Sequence, residues 1–412
     1  MDEAEIEAVA RVLRSGSLFR YYGPNAPDEV RSFEREFAAF QDVPYAIAVS
    51  SGTGALHTAL SALAVGPGQE VIVPAYLWAA ILNAVVNLGA IPVIADIDPS
   101  FCLDPVDVEK RITPRTTGIV MAHMSGAMGN APAVAEIARK HGLFLLEDCA
   151  QCAGASLHGR NAGTFGDMAI FSFQLNKNMT SGEGGCLTTA NFDLYQRAFA
   201  CHDQGYARDD SGRLILDRPE LCLWGRGYRM DELRAAVLRV QLSKLPRIVS
   251  AMRRSKYRIR EALARTPGLR LRRILDPAGD SGSFLITTFD DPATAAEVNQ
   301  ALRAEGIVTS ANGISNILMK DWGLHLYYRN ASLLARSSID GRGFPWRLAA
   351  NHGAPPEYGK GACPAADSLF ERSILLPIPS CLTLEDEDDI IRAFEKVLAE
   401  LPRAGVGRAA GA

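Results

Sequence analysis

From about residue 47 to residue 197 the chain repeats one pattern: a short apolar run, a turn, then apolar residues at helical spacing. The runs are Tyr45–Val49, Val71–Val73, Pro92–Ile97, Gly118–Ala122, Leu143–Leu146 and Met168–Phe173. Runs this short that are apolar throughout read as strands covered on both faces. Strands alternating with helices build a mostly parallel sheet. The predicted class is therefore α/β, with ligands taken at the carboxyl ends of the strands. The longest apolar stretch, Val71–Ile97, has the length of a membrane span. Pro74, Asn83, Asn87, Gly89 and Pro92 divide it. It reads instead as a strand at Val71–Val73, a helix at Tyr76–Leu88 capped by Gly89, and a strand at Ile91–Ile97.

A chain of 412 residues suits two unequal domains. Residues 1–250 are expected to form the larger and 251–412 a smaller α+β domain. Ile6, Val9, Ala10 and Leu13 predict an N-terminal amphipathic helix. Met230–Arg265 predicts a long bridging helix with a kink at Pro246. Leu269–Leu271 and Phe284–Thr288 read as strands, Thr294–Glu305 and Leu384–Leu398 as helices. Residues 316–360 are irregular and aromatic, and Pro402–Ala412 reads as a frayed tail.

Forty-three Lys and Arg stand against 47 Asp and Glu, a net charge of −4. No basic excess exists to make nucleic acid or an anionic membrane the partner. Met1 is followed by Asp2, Glu3, Glu5 and Glu7, the wrong charge for a secretory leader. A cytoplasmic location follows, with the eight cysteines reduced. Cys149 and Cys152 stand at C-x-x-C spacing without a second pair, so they read as structural thiols rather than metal ligands.

Three segments carry chemistry. Ser50-Ser51-Gly52-Thr53-Gly54 links a strand to a helix and would present free backbone N–H groups to a phosphate; alone it is also an ordinary cap. Phe144–Asp148 is a strand ending in two acids, the second at the sheet edge; alone it is also a salt-bridged Asp. Phe171–Gly185 runs from an aromatic strand into a polar loop with one lysine, Lys177. A desolvated lysine loses its charge easily, as a Schiff base requires; alone it is also a solvated lysine. Their order, with Trp78 between the first two, assembles the parts that pyridoxal phosphate needs. These are a phosphate cradle, a stacking face, a carboxylate for the pyridinium nitrogen and an amine.

The chain resembles the DegT/DnrJ/EryC1/StrS sugar aminotransferases, a branch of the fold-type I pyridoxal-phosphate enzymes, over about residues 15–400. The resemblance rests on S-G-T-x-A-L at Ser51–Leu56, V-I-V-P at Val71–Pro74 and E-D-x-A-Q at Glu147–Gln151. It continues through G-x-x-x-G-x-x-G-D-x-x-x-F-S-F-x-x-x-K at Gly159–Lys177, T-x-G-E-G-G at Thr180–Gly185, Y-R-M-x-E at Tyr228–Glu232 and L-P-x-x-x-x-L-T at Leu376–Thr383. It implies a large domain on a mostly parallel, seven-stranded sheet, a small C-terminal domain and a homodimer. Lys177 would be the Schiff-base lysine and proton shuttle, and Asp148 the partner of the ring nitrogen. Gln151 would bind the ring oxygen, Trp78 stack, and Gly52, Thr53 and Ser172 hold the phosphate. The implied reaction moves an amino group from L-glutamate or L-glutamine to a keto or aldehyde sugar, sugar acid or cyclitol.

Three positions depart from the family pattern. Gly227 replaces an Asn that reaches the partner's cofactor phosphate, with Arg226 beside it as a substitute. Leu77-Trp78 replaces Thr-aromatic, and Gln204-Gly205 replaces His-Gly. Leu18–Tyr21, His123–Gly126, Asp203–Gly205 and Asp276–Asp280 are similar to the branch that makes an 8-amino-3,8-dideoxy-octulosonate. There Arg20 and Tyr21 would stand at the site mouth, Arg20 gripping a substrate carboxylate, with Arg229 a third substrate residue. Two other readings use the same cofactor. A keto-sugar dehydratase would carry histidine in place of Lys177, and a non-catalytic regulatory protein would not need the intact Lys177–Asp148 pair. Asn316–Lys360 is the stretch expected to select the acceptor.

Overall fold

The computed structural model describes residues 1–26, 28–209, 213–308, 316–353 and 356–400; the expected frayed tail lies outside them. The large sheet contains β1 (Tyr45–Val49), β2 (Glu70–Pro74), β3 (Ile91–Ala95), β4 (Thr116–Ala122), β5 (Phe144–Asp148), β8 (Met168–Ser172) and β9 (Gly185–Thr189). Between β5 and β8 lies a short ribbon, β6 (Ser156–Leu157) and β7 (Arg160–Asn161). The sheet order is β1-β9-β8-β5-β4-β2-β3, with β9 antiparallel to both its neighbours. Alternate residues feed opposite faces, as a two-residue period demands. Ile47, Val49, Val71, Val73, Val120 and Leu146 enter one core, whereas Ala46, Ala48, Ile72, Ile119, Met121 and Leu145 enter the other.

Helices cover both faces: α1 (Glu3–Ser15), α2 (Glu29–Gln41), α3 (Gly52–Ala62), α4 (Ala80–Asn87), α5 (Pro105–Lys110), α6 (Ala131–His141), α7 (Phe192–His202) and α8 (Glu232–Leu263). In α1 the buried residues are Glu5, Ala8 and Val12, while Ile6 and Leu13 are 61% and 56% exposed. The apolar spacing therefore located the helix but marked the wrong face. Glu5 turns inward because Lys244 and Gln241 of α8 hold its carboxylate at 2.7 Å. Helix α4 begins at Ala80 rather than Tyr76. Upstream, Leu77 N–H donates to the His325 carbonyl (3.0 Å) and Tyr327 N–H to that of Ala75 (3.1 Å), so strand-like pairing displaces the first helical turn. Helix α8 is continuous through Pro246 and carries residue 250, the expected domain boundary, within it.

The smaller sheet is antiparallel, in the order β10 (Arg270–Leu271), β11 (Phe284–Thr288), β13 (Ser373–Pro377), β12 (Ile317–Leu318). Helices α9 (Pro292–Ala304) and α12 (Leu384–Glu400) cover it, and Ile259 and Leu263 of α8 join the same core. The short α10 (Ala331–Leu334) and α11 (Pro364–Arg372) pack on the large domain. A buried cation pins the seam. Arg272 donates to the carbonyls of Ser100 (2.6 Å), Ser125 (3.0 Å), Met124 (2.9 Å) and Ala127 (3.3 Å). Lys256 pairs with Asp280, both side chains being buried. Among the described residues no helix is long and apolar enough to cross a membrane.

Candidate active site

The first residues after β1 form a cradle. Ser51 caps α3, its Oγ accepting the Gly54 N–H at 3.0 Å. The Gly52 and Thr53 N–H groups make no hydrogen bond among the described residues, the state expected of an N-terminal anion site. Any Cβ on Gly52 would lie 2.7 Å from Cβ of Ser172, the last residue of β8. Glycine is what lets the β8 end reach the helix start. The three expected phosphate residues thus meet. Tyr228 closes the cradle from behind: its carbonyl accepts the Ser50 N–H (2.8 Å) and its hydroxyl bonds Nδ1 of His57 (3.0 Å). Gly227 is left-handed, φ 68°. Exposed Arg226 lies near enough to help burial push His57 down to about 4.

Asp148 ends β5 at the same sheet edge. Its Oδ1 accepts the Ala150 N–H at 2.9 Å, and it makes no ion pair within reach among the described residues. Burial raises its pKa, opposed by the Ala150 N–H, Lys177 and His123. Lys177 stands in the loop after β8; burial lowers its pKa, opposed by Asp148, Cys152 and Glu183. Each group is thus pushed toward neutrality by desolvation, with the other charge partly restoring it. Gln151 accepts the Ser125 N–H on Oε1 (2.8 Å), which leaves its Nε2 to donate. A protonated ring nitrogen suits the buried Asp148 carboxylate, and a phosphate suits the free N–H pair. The residues present fit pyridoxal phosphate.

Behind Asp148 lies a pair that sequence reasoning did not single out. His123 Nε2 is 2.9 Å from Glu147 Oε2, both fully buried. Glu147 also accepts the N–H groups of Gly163, Phe165 and Gly166. Burial disfavours charge on His123, but bonds to Cys102 and Glu147 prevail and its pKa is raised. Its charge in turn favours the ionised form of Asp148. His123, Glu147 and Cys149 bring ligand atoms within 4.8 Å of one another, but the Glu147 oxygens are already filled by these donors. Adjacency in sequence, Glu147-Asp148, was the signal available.

Trp78 stands before α4, 45% exposed, with its ring 4.8 Å from His325. His325 also lies 4.8 Å from Trp322 and donates through Nδ1 to the Trp322 carbonyl at 3.0 Å. Burial, with Lys177 nearby, pushes His325 down to about 4, so it is neutral, and its Nε2 makes no hydrogen bond among the described residues. The indole N–H of Trp322 is buried and has no partner among the described residues. This wall comes from the irregular stretch expected to select the acceptor.

The expected substrate residues fare differently. Arg20 is buried and bidentate to Glu34, 2.9 and 3.1 Å, and touches His202 Nε2 at 3.1 Å. Its guanidinium is committed inside the fold, which corrects the expectation that it grips a substrate. Tyr21 is packed between guanidiniums, Arg208 3.9 Å and Arg20 5.0 Å from its ring, with its hydroxyl buried. The ring is packed, while the hydroxyl has no hydrogen-bond partner among the described residues. Arg229 pairs with buried Asp203, which Arg208 shares, and keeps 24% side-chain exposure.

A strand-end carboxylate facing a desolvated loop lysine, across a helix-start anion cradle on a seven-stranded mixed sheet, defines the fold-type I transferase class. Comparison agrees. The structure of the aminotransferase from Psychrobacter cryohalolentis superposes with a TM-score of 0.81 at 27% identity, over 97% of each chain. L-glutamine:2-deoxy-scyllo-inosose aminotransferase of Streptomyces kanamyceticus is 39% identical over 66% of this chain and 64% of its own length. The chain therefore spans just under two thirds of that relative. The spore coat polysaccharide biosynthesis protein SpsC of Bacillus subtilis is 30% identical over 96% of this chain and 94% of its own. The profile of the DegT/DnrJ/EryC1/StrS aminotransferase family matches residues 1–318. The chain belongs to that family.

Proposed function

We propose that the chain is a pyridoxal-5′-phosphate-dependent transaminase. It takes nitrogen from L-glutamine or L-glutamate and gives it to the keto or aldehyde carbon of a sugar, sugar acid or cyclitol. The carrying observation is the pair of buried Asp148 and half-buried, desolvated Lys177 beside a free N–H cradle. Bound there, the cofactor supplies an aldehyde and an electron-accepting ring. Gly52, Thr53 and Ser172 would hold its phosphate, Asp148 would keep a proton on the ring nitrogen, and Gln151 would bind the ring oxygen. The Nζ of Lys177, its pKa lowered by burial, would be the amine that attaches the group and the base that moves a proton at the substrate carbon. Trp78 and His325 would wall off the acceptor side. The intact lysine disfavours the dehydratase reading, and the complete acid–amine pair disfavours a purely regulatory role.

We also propose a homodimer, since the family shares its sites between subunits, and a cytoplasmic location. An active monomer in sedimentation at assay concentration overturns the first. The absorption spectrum tests the activity. Added pyridoxal phosphate should give a yellow band that L-glutamine or L-glutamate bleaches. A band unmoved by either donor overturns the donor assignment, and a Lys177→Ala protein that still turns over overturns the mechanism.

A further inference from the structure

At the opposite edge of the large sheet lies a cavity of about 340 Å³ lined by Arg115, Arg336, Arg347, Trp346 and Asn351. Its wall includes Ile91, the first residue of β3, and Arg115 directly precedes β4. Asp148 and Ser172 close parallel strands at the other end, so this cavity is separate from the cofactor cradle. Its wall residues from Ala335 to Pro356 lie beyond residue 318, where the family profile stops.

The charges there are unbalanced. Among the described residues no acid lines the cavity. Arg115 is held by Glu70 and by the His352 carbonyl at 3.2 Å. Arg336 and Arg347 have no carboxylate partner among the described residues; Arg336 has one long bond, 3.5 Å, to the Pro356 carbonyl. Glu357 lines only the adjoining cavity of about 540 Å³, across Arg336. The floor is fixed: Asn351 donates to the carbonyls of Gly89 (2.9 Å) and Pro345 (2.8 Å) and accepts the Gly68 N–H (2.6 Å).

Arg336 also occupies an unfavourable backbone position. It follows α10 with φ 48°. Its N–H returns to the Leu333 carbonyl (3.1 Å) and that of Ser337 to the Ser332 carbonyl (2.8 Å). This is the left-handed helix end that normally takes glycine. An arginine there accepts backbone strain while presenting a guanidinium to the cavity, and such strain points toward function. Arginine forks match phosphate oxygens in pairs.

We propose that this cavity is a second anion site, taking a phosphate- or pyrophosphate-bearing small molecule between Arg336 and Arg347 beside Trp346. The test is calorimetric titration of inorganic pyrophosphate into holoenzyme, whose cofactor already fills the cradle, at constant ionic strength. One saturable site per chain is expected, with affinity weakened roughly tenfold or more in an Arg336→Ala/Arg347→Ala protein that keeps the cofactor spectrum. Arg336→Gly should bind more weakly yet melt no lower than the parent, because glycine relieves the strain. A nucleoside diphosphate titrated in parallel separates the sources. Equal affinity assigns a free phosphate or pyrophosphate, and tighter binding a phosphate ester with a ring against Trp346. No saturable binding, or equal affinity in the double variant, overturns the proposal. A lower melting temperature for Arg336→Gly with unchanged affinity also overturns it and makes Arg336 structural.

Discussion

The His325 ring lies 4.8 Å from the Trp78 ring, so a residue far along the chain supports the aromatic face on which the cofactor is proposed to rest. His325 is neutral, its Nδ1–H is spent on the Trp322 carbonyl, and its Nε2 makes no hydrogen bond among the described residues. A neutral acceptor suits a sugar hydroxyl. His325→Ala should lower kcat/KM for the acceptor roughly tenfold to a hundredfold while leaving the donor-driven bleaching of the spectrum close to normal. Equal losses in both half-reactions would show that His325 acts through the cofactor instead.

Asp148 is raised by burial and opposed by Lys177 and His123. Asp148→Asn keeps the shape and removes the charge that holds the ring proton. Turnover should fall by roughly 10²–10⁴-fold, with cofactor still bound. A change of less than tenfold would mean the ring nitrogen is not paired with Asp148.

Arg272 meets four carbonyls across the domain seam and makes no ion pair with an acid among the described residues. Arg272→Met leaves those acceptors buried and unsatisfied. Unfolding free energy should drop by roughly 3 kcal/mol, read from the urea midpoint. Arg272→Lys should recover little, because one ammonium cannot span the same carbonyls.

Burial opposes ionisation of Glu5, but Lys244, the Asp2 N–H and Gln241 prevail and hold it down to about 2, below the ordinary 4.5. A depressed carboxylate binds fewer protons in the folded chain than in the unfolded one. Its contribution is therefore full above about 4.5 and lost as pH falls toward about 2. Glu5→Gln should be less stable than the parent at neutral pH, and the gap should close across that acid window in thermal melts. A gap independent of pH would remove the charge from the explanation.

Much of the fold was legible because strands and helices carry local signatures. Tyr45–Val49 and Phe284–Thr288 coincide with the observed strands, since short runs rich in apolar and β-branched residues suit a largely buried strand. The cradle and the Asp148–Lys177 pair were legible because glycine spacing and strand-end position are written along the chain. Arg20 was misread because sequence shows a free cation, not the Glu34 on α2 that claims it. Ile6 and Leu13 were misread because the period of a helix gives its faces but not which one meets α8.

The sequence by itself determined the α/β order, the helix-start cradle and the chemical identity of the acid and the amine, all of which depend on residues close together in the chain. Tertiary structure alone decided that His123 pairs with Glu147, that His325 closes over Trp78 and that Arg272 locks the two sheets. Those contacts join segments far apart in sequence. Their strength comes from desolvation, which no residue carries until the surrounding chain has excluded water.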